Sequence, residues 1–228
     1  MSRNLFYQIA TRTQSTASQH SAIWVNNTTA GAGAIGYAVT GNYIGYGAYT
    51  ATASSSGTTV TVASTDGLGI GMKVAITSGT GTLAANTYVT AINSATTFTI
   101  SAAPTVALAG ATISCTAGTQ AYTFAGTTSS AFIPVFLNVP SSGTVTSLQG
   151  NTIAGITMSG SSSGTNASAP FRAIYVSAGV VNIGATSGGA AGTPNTIGGT
   201  NAAAAISFTS SSASTSEVHG IYNNGSDA

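Results

Sequence analysis

Along most of the chain, apolar and polar residues alternate one for one over about five positions, and then Gly, Ser or Asn interrupts. Thr58-Thr-Val-Thr-Val62, Lys73-Val-Ala-Ile-Thr77, Thr87-Tyr-Val-Thr-Ala-Ile92, Thr96-Thr-Phe-Thr-Ile100 and Tyr122-Thr-Phe124 are runs of this kind. Successive side chains of an extended strand point to opposite faces, so a period of two between turn residues predicts many short, half-buried strands. No stretch carries the three-and-four spacing of an amphipathic helix. Glu, Lys, Arg and Leu, the residues that usually fill helix surfaces, are scarce. The predicted fold class is all-β.

The C-terminal part repeats itself. Three Asn–Ile–Gly phrases occur, Asn151-Thr-Ile-Ala-Gly155, Asn182-Ile-Gly184 and Asn195-Thr-Ile-Gly198. Among them lie Ala173-Ile-Tyr-Val176, Ala205-Ile-Ser-Phe208 and Gly220-Ile-Tyr-Asn223. Asn151 to Asn182 is 31 residues and Ala173 to Ala205 is 32. Repetition at such intervals predicts a parallel β-solenoid, β-helix-like, in which each coil sets an inward Ile on a short strand. Gly then permits the corners, Asn stacks in a ladder at the turn, and loops such as Gly160–Ala169 absorb the uneven period. Ile153, Ile174, Ile183, Ile197, Ile206 and Ile221 are predicted to point into one core. Gly41-Asn-Tyr-Ile-Gly45 repeats the phrase, so the solenoid is expected to begin in the N-terminal segment.

Residues 54–116 read differently, with five strand candidates in about 60 residues and no Asn–Ile–Gly phrase. They are expected to form an inserted small β-barrel or sandwich around Val60, Val62, Val74, Ile76, Val89, Ile92, Phe98 and Ile100. The expected organisation is therefore an N-terminal β segment over 1–53, an inserted module over 54–116 and a solenoid module over 117–228.

The string from Phe171 to Gly225, with Ala-Ile-Tyr-Val-Ser-Ala-Gly, Val-Asn-Ile-Gly, Asn-Thr-Ile-Gly, Ala-Ile-Ser-Phe and Gly-Ile-Tyr-Asn-Asn-Gly, resembles the long repetitive, adhesin-like β-helix surface proteins of environmental and gliding bacteria. The block Gly67-Leu-Gly-Ile-Gly-Met-Lys-Val74, Thr87-Tyr-Val-Thr-Ala-Ile92 and Thr96-Thr-Phe-Thr-Ile-Ser101 is similar to a small β module of phage tail and head-decoration proteins and of bacterial surface proteins. Gly81-Thr-Leu-Ala-Ala-Asn-Thr87 departs from that module, which has Gly-Ile-x-x-Gly-Thr there. These resemblances imply an extracellular or cell-surface structural role, with a virion component as the alternative.

Charge narrows the chemistry. Only seven of 228 residues are charged, 3% against about 25% in ordinary soluble domains, and the net charge is +1. Four dispersed cations cannot neutralise a phosphate backbone, so no nucleic-acid partner is expected. Disorder is excluded as well, because the chain is 43% hydrophobic with a mean hydropathy of +0.31. Ser and Thr make up 69 residues, and with 29 Gly they suit a polar, uncharged surface on short strands. The longest apolar stretch, Ala131–Leu137, is far short of the roughly 20 residues of a membrane helix. Asn4, Gln8, Arg12, Gln14 and Gln19 interrupt any secretory leader within residues 1–24. Export is thus expected to rest on a segment outside this sequence or on assembly into a particle.

Candidate reactive groups are few. Cys115, the single cysteine, sits in an alternating run and reads as a small buried hydrophobe. Asp66-Gly67 and Asn223-Asn-Gly-Ser-Asp227 read as turns. Glu217 and His219 share one strand face, and Glu217 has no acidic neighbour to form a glycosidase pair. No metal or cofactor is expected, and no enzymatic activity. The aromatic residues Trp24, Tyr43, Tyr46 and Tyr49, together with Tyr122, remain as candidate contacts for a surface partner, and Tyr43 and Tyr49 share a parity. The expected function is that of a structural subunit of an extracellular filament, sheath or surface coat that self-associates. The alternatives are an adhesin-like module binding surface glycan and a phage fibre or decoration protein.

Overall fold

The computed structural model describes residues 1–2, 4–6, 12–14, 18–28, 36–45, 48–65, 67–116, 120–124, 130–160, 163–199 and 205–225. Among them the chain is all-β, with 23 strands and a single 3-10 turn at Asn166–Ser168. No helix among these residues is long and apolar enough to cross a membrane. The chain divides into two compact units, Met1–Ile44 with Thr119–Ala228, and Gly45–Gly118.

In the first unit the chain visits the same sheets in the same order, pass after pass. The first pass carries β1 (Leu5–Phe6), β2 (Arg12–Gln14), β3 (Gln19–His20) and β4 (Ile23–Asn26). The second begins with β5 (Ala38–Thr40) and β6 (Tyr43–Gly45). The second unit then intervenes as β7 (Ala48–Ser56), β8 (Thr59–Val62), β9 (Lys73–Thr82), β10 (Val89–Ile92), β11 (Thr97–Ile100) and β12 (Val106–Thr116). The second pass resumes with β13 (Gln120–Phe124), β14 (Ala131–Phe132) and β15 (Val135–Asn138). The third is β16 (Thr146–Gln149), β17 (Thr152–Ala154), β18 (Ile156–Gly160) and β19 (Phe171–Ala178). The fourth is β20 (Val181–Ile183), β21 (Thr196–Ile197), β22 (Ile206–Ser210) and β23 (Val218–Asn223).

Equivalent strands of successive passes lie side by side and make four separate ladders, β5-β16-β20, β1-β6-β17-β21, β2-β13-β18-β22, and a fourth holding β3, β4, β14, β15, β19 and β23. Pairing is parallel wherever the register is defined, as in β15 with β4 and β18 with β22. Parallel register puts like upon like. Val39, Leu148 and Ile183 align, as do Ile153 with Ile197, Met158 with Phe208, and Ile23 with Val135, Ile174 and Ile221. These stacks form one core in which Ile23, Leu148, Ile153, Ile156, Met158 and Ile174 are fully buried. Burying each such side chain is worth about 1.5–3 kcal/mol before the entropy of ordering is subtracted.

Of the six isoleucines predicted for this core, Ile153 and Ile174 are 0% exposed, and Ile183, Ile197 and Ile206 pack against it half-buried. Ile221 departs from the prediction: it is 50% exposed, because β23 is the last strand of its ladder and no further pass covers it. The predicted spacing also fails. Asn151 stacks on Asn195, 44 residues on, and not on Asn182. Turns of unequal length separate the strands, so the look-alike phrase at Asn182 falls in a different sheet and bonds the local carbonyls of Thr186 and Ser187.

An asparagine ladder runs through all four passes at the turn into the second sheet. Asn4 donates from its backbone N–H (3.1 Å) and Nδ2 (2.9 Å) to Asn42 Oδ1. Asn42 makes the same two bonds to Asn151 Oδ1 (3.0 and 2.8 Å), and Asn151 to Asn195 Oδ1 (3.0 and 2.8 Å). Asn42 and Asn151 are 0% and 1% exposed, so the ladder satisfies amides that water cannot reach. In the third pass a single residue, Gly155 at φ +62°, turns the chain from β17 into β18. In the second pass the residues of the second unit stand between β6 and β13 in the chain.

The second unit is a six-stranded antiparallel sheet of order β10-β11-β8-β7-β12-β9. Its two outer strands meet at the Lys73–Tyr88 bridge, where Val74 N donates to Thr87 O (2.8 Å) and Val89 N to Met72 O (2.9 Å). Val60, Val62, Val74, Val89, Phe98 and Ile100 are buried with Met72, Leu108, Ile113 and Cys115. Ile76 is half-buried. Ile92, expected inside, is 40% exposed: it faces Phe98 but ends the outermost strand, where no pairing covers it.

Candidate interaction surface

An aliphatic–aromatic dipeptide recurs once in each pass along the fourth ladder: Ile23-Trp24, Val135-Phe136, Ile174-Tyr175 and Ile221-Tyr222. Alternation in a strand sends the two members to opposite faces. The aliphatic members align toward the core, and the aromatic members align in register on the other face. Trp24 stacks on Phe136 at 4.0 Å between ring centroids and 15° between planes. Phe136 meets Tyr175 edge-on at 5.4 Å, and Tyr175 lies 5.5 Å from Tyr222. Each such pair adds about 0.5–1.5 kcal/mol beyond area burial. The inner rings are covered, Phe136 at 8% and Tyr175 at 7% exposed, whereas Trp24 at the outer end is 52% exposed.

Arg172 lies over this row, its guanidinium carbon 4.7 Å from the Tyr175 ring centroid. It is 2% exposed, and its Nε and Nη1 are buried without hydrogen-bond partners among the described residues. Burial pushes its pKa down, opposed by the neighbouring Tyr175 and Tyr222. A ring face returns part of the lost hydration of a cation, without the geometry of a carboxylate. Its cross-strand neighbour is His219, whose Nε2 lies 3.0 Å from Glu217 Oε2. That carboxylate also accepts the Asn166 N–H at 2.6 Å, which with His219 holds its pKa below the ordinary range. Glu217 and His219 thus pair with each other at the sheet edge.

Of the aromatic residues singled out in the sequence whose side chains are described, Trp24 is the exposed one. Tyr43 is half-buried on β6, opposite Leu5. Tyr49 is not a surface residue. It is 7% exposed in the second unit, donates its hydroxyl to the Ser64 carbonyl and faces Cys115 across β12. Shared parity did not bring Tyr43 and Tyr49 together, because the boundary between the two units falls between them. Tyr46, Asp66 and Asp227 lie outside the described residues, as does the side chain of Tyr122. No family model, curated protein or solved structure matches the chain.

Sequence reasoning missed Phe136, Tyr175, Tyr222 and Arg172. The signal for the aromatic residues was the recurring dipeptide, hidden at Phe136 by the unbroken apolar run Ala131–Leu137. Arg172 had no signal, because an isolated cation on a strand reads as solvent-facing. Among the described residues no three of His, Cys, Asp and Glu lie together.

Proposed function

We propose that this chain is a structural subunit that acts by associating with itself, in an extracellular filament, sheath or surface coat or in the coat of a particle. In this reading the first unit is a four-coil parallel β-solenoid, and the second is a small barrel inserted at one of its corners. One observation carries the proposal: the fourth ladder ends on a strand, β23, whose apolar residues lack a covering layer among the described residues. Val218 and Ile221 on β23 are 51% and 50% exposed, while their neighbours Phe171 and Ile174 one pass inward are 1% and 0% exposed. An apolar strand edge of this kind invites another strand. A net charge of +1 leaves little long-range repulsion between copies. No catalytic role is assigned, since Glu217 and His219 satisfy each other and Arg172 is sequestered over an aromatic ring.

Sedimentation of the purified protein across a wide concentration range tests this. Species larger than a monomer should grow in with concentration, with little change between low and high salt, because few ion pairs exist to be screened. A monomer at every concentration rejects the proposal. A second reading, a glycan-binding surface, is favoured by Trp24 alone: a half-exposed indole on a buried ring suits stacking against a sugar face. Trp24 is the only tryptophan, so its fluorescence should change on titration with soluble glycans if that reading holds.

A further inference from the structure

The asparagine ladder has a direction. At every step the earlier asparagine donates, through backbone N–H and Nδ2, and the later one accepts through Oδ1. Its two ends are therefore unlike. Asn195 accepts from Asn151 and spends one Nδ2 hydrogen on the Leu148 carbonyl, but its backbone N–H has no acceptor among the described residues. Asn4 donates at the opposite end, and its Oδ1 accepts nothing among the described residues. The main chain follows the same rule in reverse. Tyr43 N donates to Asn4 O, Thr152 N to Asn42 O and Thr196 N to Asn151 O, each at 2.8 Å, which leaves the Asn195 carbonyl as the next acceptor in the series.

We infer that a second copy of this chain docks head to tail, its first pass laid on the fourth pass of the copy before it, so that Asn4 Oδ1 accepts from Asn195. The inference rests on the self-association proposed above and names its surface. Three observations converge on the same seam. The donor end and the acceptor end of the ladder fit each other, whereas two Asn195 ends would oppose donor to donor. Strand direction is parallel in every pass, so a copy added in the same orientation extends the three ladders that hold a first-pass strand, those of β1, of β2, and of β3 and β4, by the pairing they already use. The aromatic row is cut at the same place: Trp24 at its first-pass end is 52% exposed, and the next copy's Trp24 would take its place beyond Tyr222 as Trp24 does beside Phe136. Val218 and Ile221 would be covered in the same step.

A head-to-tail contact predicts a particular result when two blocked variants are mixed. Asn4→Lys removes the acceptor at an exposed position and sets a cation against the donors of Asn195. Ile221→Lys places a charge on the exposed edge strand at the other end. Each variant keeps one competent end. Each should sediment as a monomer with wild-type circular dichroism, and an equimolar mixture should give a 1:1 dimer that grows no further, with a blue shift of Trp24 emission. Val218→Lys replaces Ile221→Lys if the latter melts early. If either blocked variant associates like wild type, or the mixture stays monomeric, the contact is elsewhere and this inference fails while self-association stands. If Asn4→Lys alone forms dimers, the contact is tail to tail and the inference fails again. A wild-type chain that never associates removes the underlying proposal as well.

Discussion

The Asn151 amide is 1% exposed, accepts two hydrogen bonds from Asn42, and donates to Asn195 Oδ1, to the Val39 carbonyl (2.9 Å) and to the Gln149 carbonyl (3.2 Å). Asn151→Ala strands partners that water cannot reach, at about 1–3 kcal/mol for each unsatisfied group, so urea unfolding should show a loss of about 2–4 kcal/mol. Asn151→Asp keeps the acceptors but turns a carboxylate toward the three oxygens that accept from Asn151 Nδ2. Its folded-state pKa rises above the unfolded value, so the variant should be more stable at pH 4 than at pH 7 relative to wild type, by thermal melting. In the second unit, burial pushes the Cys115 thiol up to about 12. At neutral pH it should resist alkylation until the unit opens, which mass spectrometry with iodoacetamide reads directly. The folded thiol holds its proton where the unfolded one releases it. Stability of this unit should therefore be undiminished below pH 9 and decline above it, by at most about 1.4 kcal/mol per pH unit from this group. Cys115→Ala should abolish that contribution to the decline.

At the scale of elements, the turn from β19 to β20 depends on Gly179, at φ +87°, where an added Cβ would strike the Val139 carbonyl. Gly179→Ala should lower stability of the first unit by about 1–3 kcal/mol, seen as a lower melting temperature with the Cys115 alkylation behaviour of the second unit unchanged. Which strands exist was legible, because alternation around Val60, Val74, Phe98 and Ile174 reports directly on two-sided burial. Which strands pair was much less so. Parallel partners sit at unequal separations, 38 residues from Asn4 to Asn42 and 44 from Asn151 to Asn195, and the inserted unit stretches the middle step to 109. Likeness of phrase therefore led to Asn182, which has the right neighbours in sequence and lies in the wrong sheet. Trp24 stood out in the sequence as an aromatic candidate, but its exposure and the row it belongs to required register. Tyr49 illustrates the opposite failure: an aromatic residue on an alternating strand looks the same whether its face is the core or the surface.

For the molecule as a whole, the third pass shows that one glycine suffices where the second unit is inserted. Deleting residues 46–119 and joining Gly45 to Gln120 through a single Gly should leave a first unit that melts cooperatively, followed by the emission of Trp24. Loss of the cooperative transition would mean that the two units share their stability. The depth of the ladders has a consequence for any fibre the chain builds. Neighbouring strands are about 4.8 Å apart, so four passes advance a stacked copy by about 19 Å. The second unit interrupts only the second of those passes, so its residues recur once per copy along such a stack. An oriented fibre should therefore diffract along its axis at about 4.8 Å, and also at about 19 Å, the longer spacing arising from that once-per-copy recurrence. Removing residues 46–119 should weaken the longer reflection and leave the shorter one sharp.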